Sequence, residues 1–297
     1  MVSVEIEDTF AEAFPMIVGR ILITAENDRW AQVAASSTVG FASSIIMSPA
    51  EAGIEGIPVP PDKTPDNRPG VNVQIYHRTG REFKSQMLAR IGQCILTCPT
   101  TSAFDNMVGA RKRLKIGRAI RLFGDGFQKK DMLGDRVVWR IPVMEGEFTI
   151  EDRFGVRRGV AGGNFIIMAD TQRNCLTAAE RAIAAIKTVE GVVTPFPGGI
   201  CRSGSKVGSN KYKLPASTNH PFCPKLRGTV ADSKIPEGVS SVYEIILNGI
   251  DLASVKKAMA EGIKAASATD GVIKITAVNF GGKLGPFKIS LKEIMSS

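Results

Sequence analysis

Histidine is nearly absent: the 297 residues hold two, His77 and His220. A Ser-His-Asp triad or a histidine-rich metal centre has little to be built from, and no G-x-S-x-G elbow is present. There is no G-x-G-x-x-G either, and no run approaching the ~20 apolar residues that span a bilayer. Aromatic residues make up 6% of the chain, too few to suggest paired base-stacking platforms. The five cysteines, at 94, 98, 175, 201 and 223, are odd in number and scattered, which argues against a disulfide framework. Cys94 and Cys98 sit in the apolar run "CILTC" and read as buried thiols, so no metal is expected. The opening segment, "MVSVEIEDTFAEAF", is acidic where a secretory signal is basic and then apolar, so a soluble, cytoplasmic protein is expected with no membrane partner.

What is present is a folding chain with a basic surface. Hydrophobic residues account for 43%, and the formal charge is +9. Residues 111 to 158 carry 13 Lys and Arg against 7 Asp and Glu, which favours acidic small molecules or nucleic acid as partners.

Two glycine-rich phrases, "SGSKVG" at 203–208 and "GGKLG" at 281–285, repeat one pattern. Gly204, Lys206 and Gly208 fall on Gly281, Lys283 and Gly285, each 77 residues on. The same offset lays "NFIIMAD" on "SVYEIIL" and "AIK" on "GIK", so the repeated unit is strand, helix, strand. The first half echoes it: "RILITA", a helix and "SSIIMSP" form one unit, then "VNVQIYH", a helix over 82–91 and "QCILTCP" form another. This predicts an α+β fold of two ferredoxin-like (split βαβ) lobes with antiparallel sheets related by duplication. A doubly wound parallel sheet uses the same local pattern and is the rival. The lobes are expected at 1–158 and 159–297, the first including a β-rich insertion at about 106–158.

The first glycine phrase has Ser205 and Lys206 where a P-loop needs Lys and then Ser or Thr, so nucleotide binding of that type is disfavoured. Glycine N–H groups beside a lysine can still grip a carboxylate or a phosphate. The 77-residue offset also sets Glu244 where the sister strand has Ile167. A glutamate in such a place is expected to be desolvated, with its pKa raised towards neutrality, which suits proton transfer without a covalent enzyme intermediate.

The motifs "IEDTFAEAF", "PAEAGI", "IGQC", "CPTTSAFD", "FGDG", "GVAGGNF", "PFPGGI", "SKVGS", "PASTN", "VYEI" and "NFGGKLG", in this order, resemble the formylmethanofuran:tetrahydromethanopterin formyltransferase family over almost the whole chain. The resemblance implies reversible formyl transfer from methanofuran to N5 of tetrahydromethanopterin, with both carriers as co-substrates and no tightly bound cofactor. It also implies a homotetramer. Through "VYEI" it maps the catalytic carboxylate onto Glu244. Gly204, Ser205, Lys206, Asn164, Asn219, Gly281, Gly282 and Lys283 are expected to bind substrate. The competing readings are a basic module that binds RNA and a non-catalytic scaffold subunit.

Overall fold

The structure, a computed structural model, describes residues 4–296. The chain begins with β1 (Glu5–Ile6), β2 (Phe10–Thr24), α1 (Asp28–Val39), β3 (Glu51–Ile54), β4 (Gly70–His77), α2 (Gly80–Arg90) and β5 (Ser102–Asp105). Next come β6 (Lys112–Leu114), α3 (Ile116–Ile120), β7 (Lys129–Leu133), β8 (Arg136–Val143), β9 (Gly146–Glu151) and β10 (Phe154–Ala169). It finishes with α4 (Gln172–Ile186), β11 (Val192–Val193), β12 (Ile200–Cys201), β13 (Ser241–Gly249), α5 (Leu252–Ser267), β14 (Val272–Thr276), β15 (Phe287–Ser290) and α6 (Leu291–Ser296). No helix among the described residues is long and apolar enough to cross a membrane.

Two compact units divide the chain. One comprises Met16–Ser43 and Pro49–Gly159; the other takes the residues up to Pro15, Ser44–Ser48 and everything from Val160 onward. In the first unit the antiparallel order is β3-β4-β2-β5. The inward residues Ile21, Ile23, Val73 and Ile75 share one core with Ala31 and Ala34 of α1 and Phe83 and Met87 of α2. Strands β7, β8 and β9 continue from β5, which β9 joins in parallel.

In the second unit β13 and β14 flank β10, and β11 and β12 flank β13, again antiparallel. Helices α4 and α5 start alike. Thr171 and Asp251 each accept from the backbone N–H three residues on, at 3.2 and 2.8 Å, satisfying a donor that the helix leaves free. Each then presents a stripe at helical spacing, Cys175, Ala178, Ala182 and Ile186 in α4 and Val255, Met259, Ile263 and Ala266 in α5. Both stripes close on Phe165, Ile167, Ile245 and Leu247. The antiparallel pairing sets aside the doubly wound parallel alternative.

Two elements differ from the sequence expectation. "QCILTCP" is not a strand: α2 runs on as a wide helical turn over Ile91–Ile95, and the strand of that unit is β5. Phe83, Met87, Ile91 and Ile95 recur every four residues and are all fully buried, so a helical stripe wins over the strand reading of the same apolar run. "SSIIMSP" likewise forms turns, and the strand begins after it at Glu51.

Candidate active site

Alternation along β13 sorts its residues onto two faces. Ile245 and Leu247 face α4 and α5, whereas Val242 and Glu244 lie on the opposite face with Ile166 and Met168 of β10. In the pairing register Ile166 stands directly opposite Glu244. The long segment after β12 covers this face through Phe222, Ile235 and Val239. A strand slipped by one residue exchanges its faces, so the 77-residue offset paired Glu244 with a residue of the wrong face. The hydrocarbon beside Glu244 is Ile166, and Ile167 points to the helices.

Glu244 is 2% exposed. Its Oε2 accepts from the Ser205 backbone N–H at 2.7 Å and its Oε1 from the Ser205 hydroxyl at 2.8 Å. Burial pushes its pKa up to about 7, against the opposing pull of the two Ser205 hydrogen bonds. Three other buried carboxylates have basic partners: Glu55 meets Arg20 at 2.6 Å, Asp105 meets Arg113 at 2.8 Å, and Glu151 meets Arg136 at 2.5 Å. Among the described residues no cation opposes the burial of Glu244; only the Ser205 hydrogen bonds do, and the neutral form gains. Ser205 serves both protonation states. Its hydroxyl donates to the carboxylate and, by rotating, accepts from the acid, while the backbone N–H stays a donor throughout.

A small cavity of about 30 Å³ opens at Glu244, lined also by Ile166, Ser203, Gly204, Asn219 and Phe222. It admits a group of two or three heavy atoms, about the size of a water or two. Cys201 borders it too, paired with Glu244 across β12 and β13. Burial first and the Glu244 charge second push that thiol up to about 11, so it stays protonated and is a poor nucleophile.

Gly204 sets the position of Ser205. Its φ is +75°, and a Cβ there would come within 2.4 Å of Asn219 Cβ. Gly204→Ala is therefore expected to displace the loop, break the Ser205 contacts and lower turnover by roughly 10- to 100-fold. The same variant should raise the Glu244 pKa further, since both lost hydrogen bonds pull it down; a pH titration of the carboxyl infrared band reads this.

The other expected site residues are distributed as follows. Asn219, Ser205 and Gly204 gather around the Glu244 carboxyl. Lys206 turns away into its own loop, where Nζ contacts His220 Nδ1 at 3.0 Å and donates to Asn210 Oδ1 at 3.3 Å. An ammonium only donates, so Nδ1 accepts and the ring proton sits on Nε2, 3.2 Å from Asp232. Asn164 lies on the same sheet face as Glu244, one pair along. Its side chain exchanges two hydrogen bonds with the Val278 backbone, at 2.8 and 3.1 Å, and so tethers the second glycine loop to β10.

That second loop closes on a carboxylate the sequence reading overlooked. Glu12, 1% exposed on β2, accepts from the backbone N–H of Phe280 at 2.6 Å, Gly282 at 3.2 Å, Gly285 at 3.2 Å and Leu284. Burial works to raise its pKa, but the four donors prevail and hold it below the usual value. Gly285 is required by proximity, since a Cβ there would lie 2.3 Å from the Ala13 carbonyl oxygen. Gly281 donates to Asn279 at 3.2 Å, and Lys283 is exposed. Both repeated loops therefore grip carboxylates, and both carboxylates belong to the chain itself. No side-chain pattern in the sequence marks Glu12, because the groups that hold it are backbone N–H groups.

Among the described residues no three His, Cys, Asp or Glu side chains gather where they could hold a metal ion. Residues 1–143 match the family description "Formylmethanofuran-tetrahydromethanopterin formyltransferase" and residues 146–294 match "FTR, proximal lobe". A formylmethanofuran–tetrahydromethanopterin formyltransferase of Methanocaldococcus jannaschii is 57% identical over 98% of both chains, and that of Methanopyrus kandleri is 55% identical over 98% of both. Among solved structures, the Methanosarcina barkeri enzyme superposes with a TM-score of 0.95 at 50% identity, covering 98% of each chain. A chain of the formyltransferase/hydrolase complex of Methylorubrum extorquens gives 0.93 at 42% identity, covering 98% of this chain and 96% of that one. The buried, uncompensated Glu244 thus lies in a chain that belongs to the formylmethanofuran–tetrahydromethanopterin formyltransferase family.

Proposed function

We propose that the chain transfers a formyl group between methanofuran and N5 of tetrahydromethanopterin, with Glu244 moving the protons. N5 adds to the formyl carbon and loses its proton to the Glu244 carboxylate. The same proton then passes to the departing amine nitrogen, the C–N bond to that amine breaks, and the carboxylate is restored. A group with a pKa near 7 suits both halves of this exchange, because neither its acid nor its base form is strongly disfavoured at neutral pH. The observation that carries the reading is a fully buried glutamate held, among the described residues, by Ser205 alone, and opening onto a cavity of formyl size.

Gly204, Ser205 and Asn219 bound the reacting group in this reading. Asn164, Lys206, Gly281, Gly282 and Lys283 serve substrate indirectly, by shaping the two loops, with Lys283 alone offering a free charge. The two units read as ferredoxin-like lobes related by duplication, supported by the shared order of four strands and two helices. A lobe boundary near 158, a homotetramer, a cytoplasmic location and the lack of a tightly bound cofactor belong to the same reading. RNA binding by such lobes needs an open sheet face carrying stacking aromatics. Here the face bearing Ile166, Met168 and Glu244 is covered by Phe222, Ile235 and Val239, which favours the transferase reading.

The test is to mix the purified protein with formylmethanofuran and tetrahydromethanopterin and follow N5-formyl product. Because the reaction begins with the Glu244 carboxylate in either direction, turnover is expected to rise with pH through about 7 both forwards and backwards. Limbs of opposite sign in the two directions would contradict this assignment of the proton.

A further inference from the structure

The Glu244 cavity contains a polar group that nothing in the chain satisfies. Asn219 is 8% exposed, yet among the described residues its side-chain amide has no hydrogen-bond partner. Its amide atoms are not sealed off, so a polar group that enters the cavity can reach them. The backbone of the same residue is fully engaged. Its N–H donates to the Ser203 carbonyl at 3.2 Å, and its own carbonyl accepts from the Phe222 N–H at 2.9 Å and from the Cys223 thiol at 3.5 Å. Its Cβ rests against Gly204, which leaves the side chain little room to turn away. The amide is therefore held in place and left unpaired beside the carboxyl.

The other donors at this cavity are already committed. Both donors of Ser205 go to Glu244, the Ser203 hydroxyl donates to the Gly204 carbonyl at 3.2 Å, and the Cys223 thiol donates to Asn219. Arg202 also borders the cavity, but it is exposed and its long side chain would have to be ordered from water. Addition of an amine to a formyl group moves the carbonyl π electrons onto oxygen, so the site needs a donor where that charge develops.

We propose that the Asn219 side-chain amide donates the hydrogen bond that holds the formyl oxygen as it becomes an alkoxide. The inference rests on the formyl-transfer reading above. Asn219 gives up no proton. The oxygen electron pair returns to carbon when the C–N bond to the leaving amine breaks, and the amide is then bonded to the carbonyl of the product.

The experiment compares wild type, Asn219→Ala and the isosteric Asn219→Asp, using kinetics and isotope-edited infrared spectra of carbon-13 formylmethanofuran bound without the pterin. Both variants are expected to lose roughly 10²- to 10³-fold in kcat with both KM values changed less than about threefold. In both, the bound formyl C=O band should move to higher wavenumber than in wild type, a change that mere loosening of the loop would not produce. A band at the same position in all three proteins, a kcat within about threefold of wild type, or a loss confined to KM would overturn the proposal. So would failure of both variants to fold, which would make Asn219 a packing residue beneath Gly204. Absence of transfer by the wild-type protein would instead sink the reading underneath, whereas transfer untouched by these substitutions sinks this inference alone.

Discussion

Glu244→Gln is expected to reduce formyl transfer by roughly 10²-fold or more while making the fold more stable above neutral pH. The amide keeps the shape and both contacts to Ser205, accepting from the N–H and donating to the hydroxyl, but it cannot carry a proton. The stability effect follows from burial. Below about pH 4.5 the side chain is neutral whether folded or unfolded, and the substitution changes little. Between 4.5 and about 7 the unfolded chain ionises while the folded one does not, so native stability falls as pH rises. Above about 7 the full penalty applies, on the order of 3 kcal/mol for a shift of this size, and glutamine escapes it. Urea denaturation of both proteins at pH 5, 7 and 9 tests this. A stability difference that stays constant across the three would mean that the carboxyl is not desolvated.

The second large effect concerns a residue with no part in the chemistry. Glu12→Ala leaves the N–H groups of Phe280, Gly282, Leu284 and Gly285 without their acceptor. Hydrogen bonds to a charged group are worth more than neutral ones, so a loss of about 2–4 kcal/mol is expected, measured by thermal or urea unfolding. Its pH dependence is opposite to that of Glu244. The Glu12 pKa is depressed in the fold, so the stability it contributes is present above its ordinary carboxylate value and is lost as pH falls through the lowered one. Wild type and Glu12→Ala should therefore converge in stability on acidification. Equal acid sensitivity in the two proteins would refute the role given to Glu12.

The sequence discloses strands and helices where side-chain period is unambiguous. The helices α4 and α5 carry clean stripes beside capping Thr171 and Asp251, and the strands expected at "VVWRIPV" and "EFTIED" are present as β8 and β9. It misleads where a short apolar run fits two periods, as at Ile91–Leu96, because length and neighbours then decide. Glu244 was legible as a carboxylate among hydrocarbons, but its face was not: a repeat alignment good to one residue cannot say which side of a sheet a side chain takes. Glu12 was illegible for a different reason. Its partners are backbone N–H groups, which every residue but proline carries, so no pattern of side chains announces them. The same applies to Asn219, whose significance lies in a partner it lacks.

Glu12 and its donors also impose an order on how the polypeptide can be assembled. Leu284 is 272 residues from Glu12, and β15 pairs with residues 10–13 of β2. A ribosome emits the early partner long before the late one, whereas Met16–Ser43 and Pro49–Gly159 contain all the strands of their own unit's sheet well before the chain is finished. The unit around Glu244 must therefore close last, and a truncation that removes only the segment from 280 onward should release a protein in which the other unit is folded while the leading residues still wait for their partners.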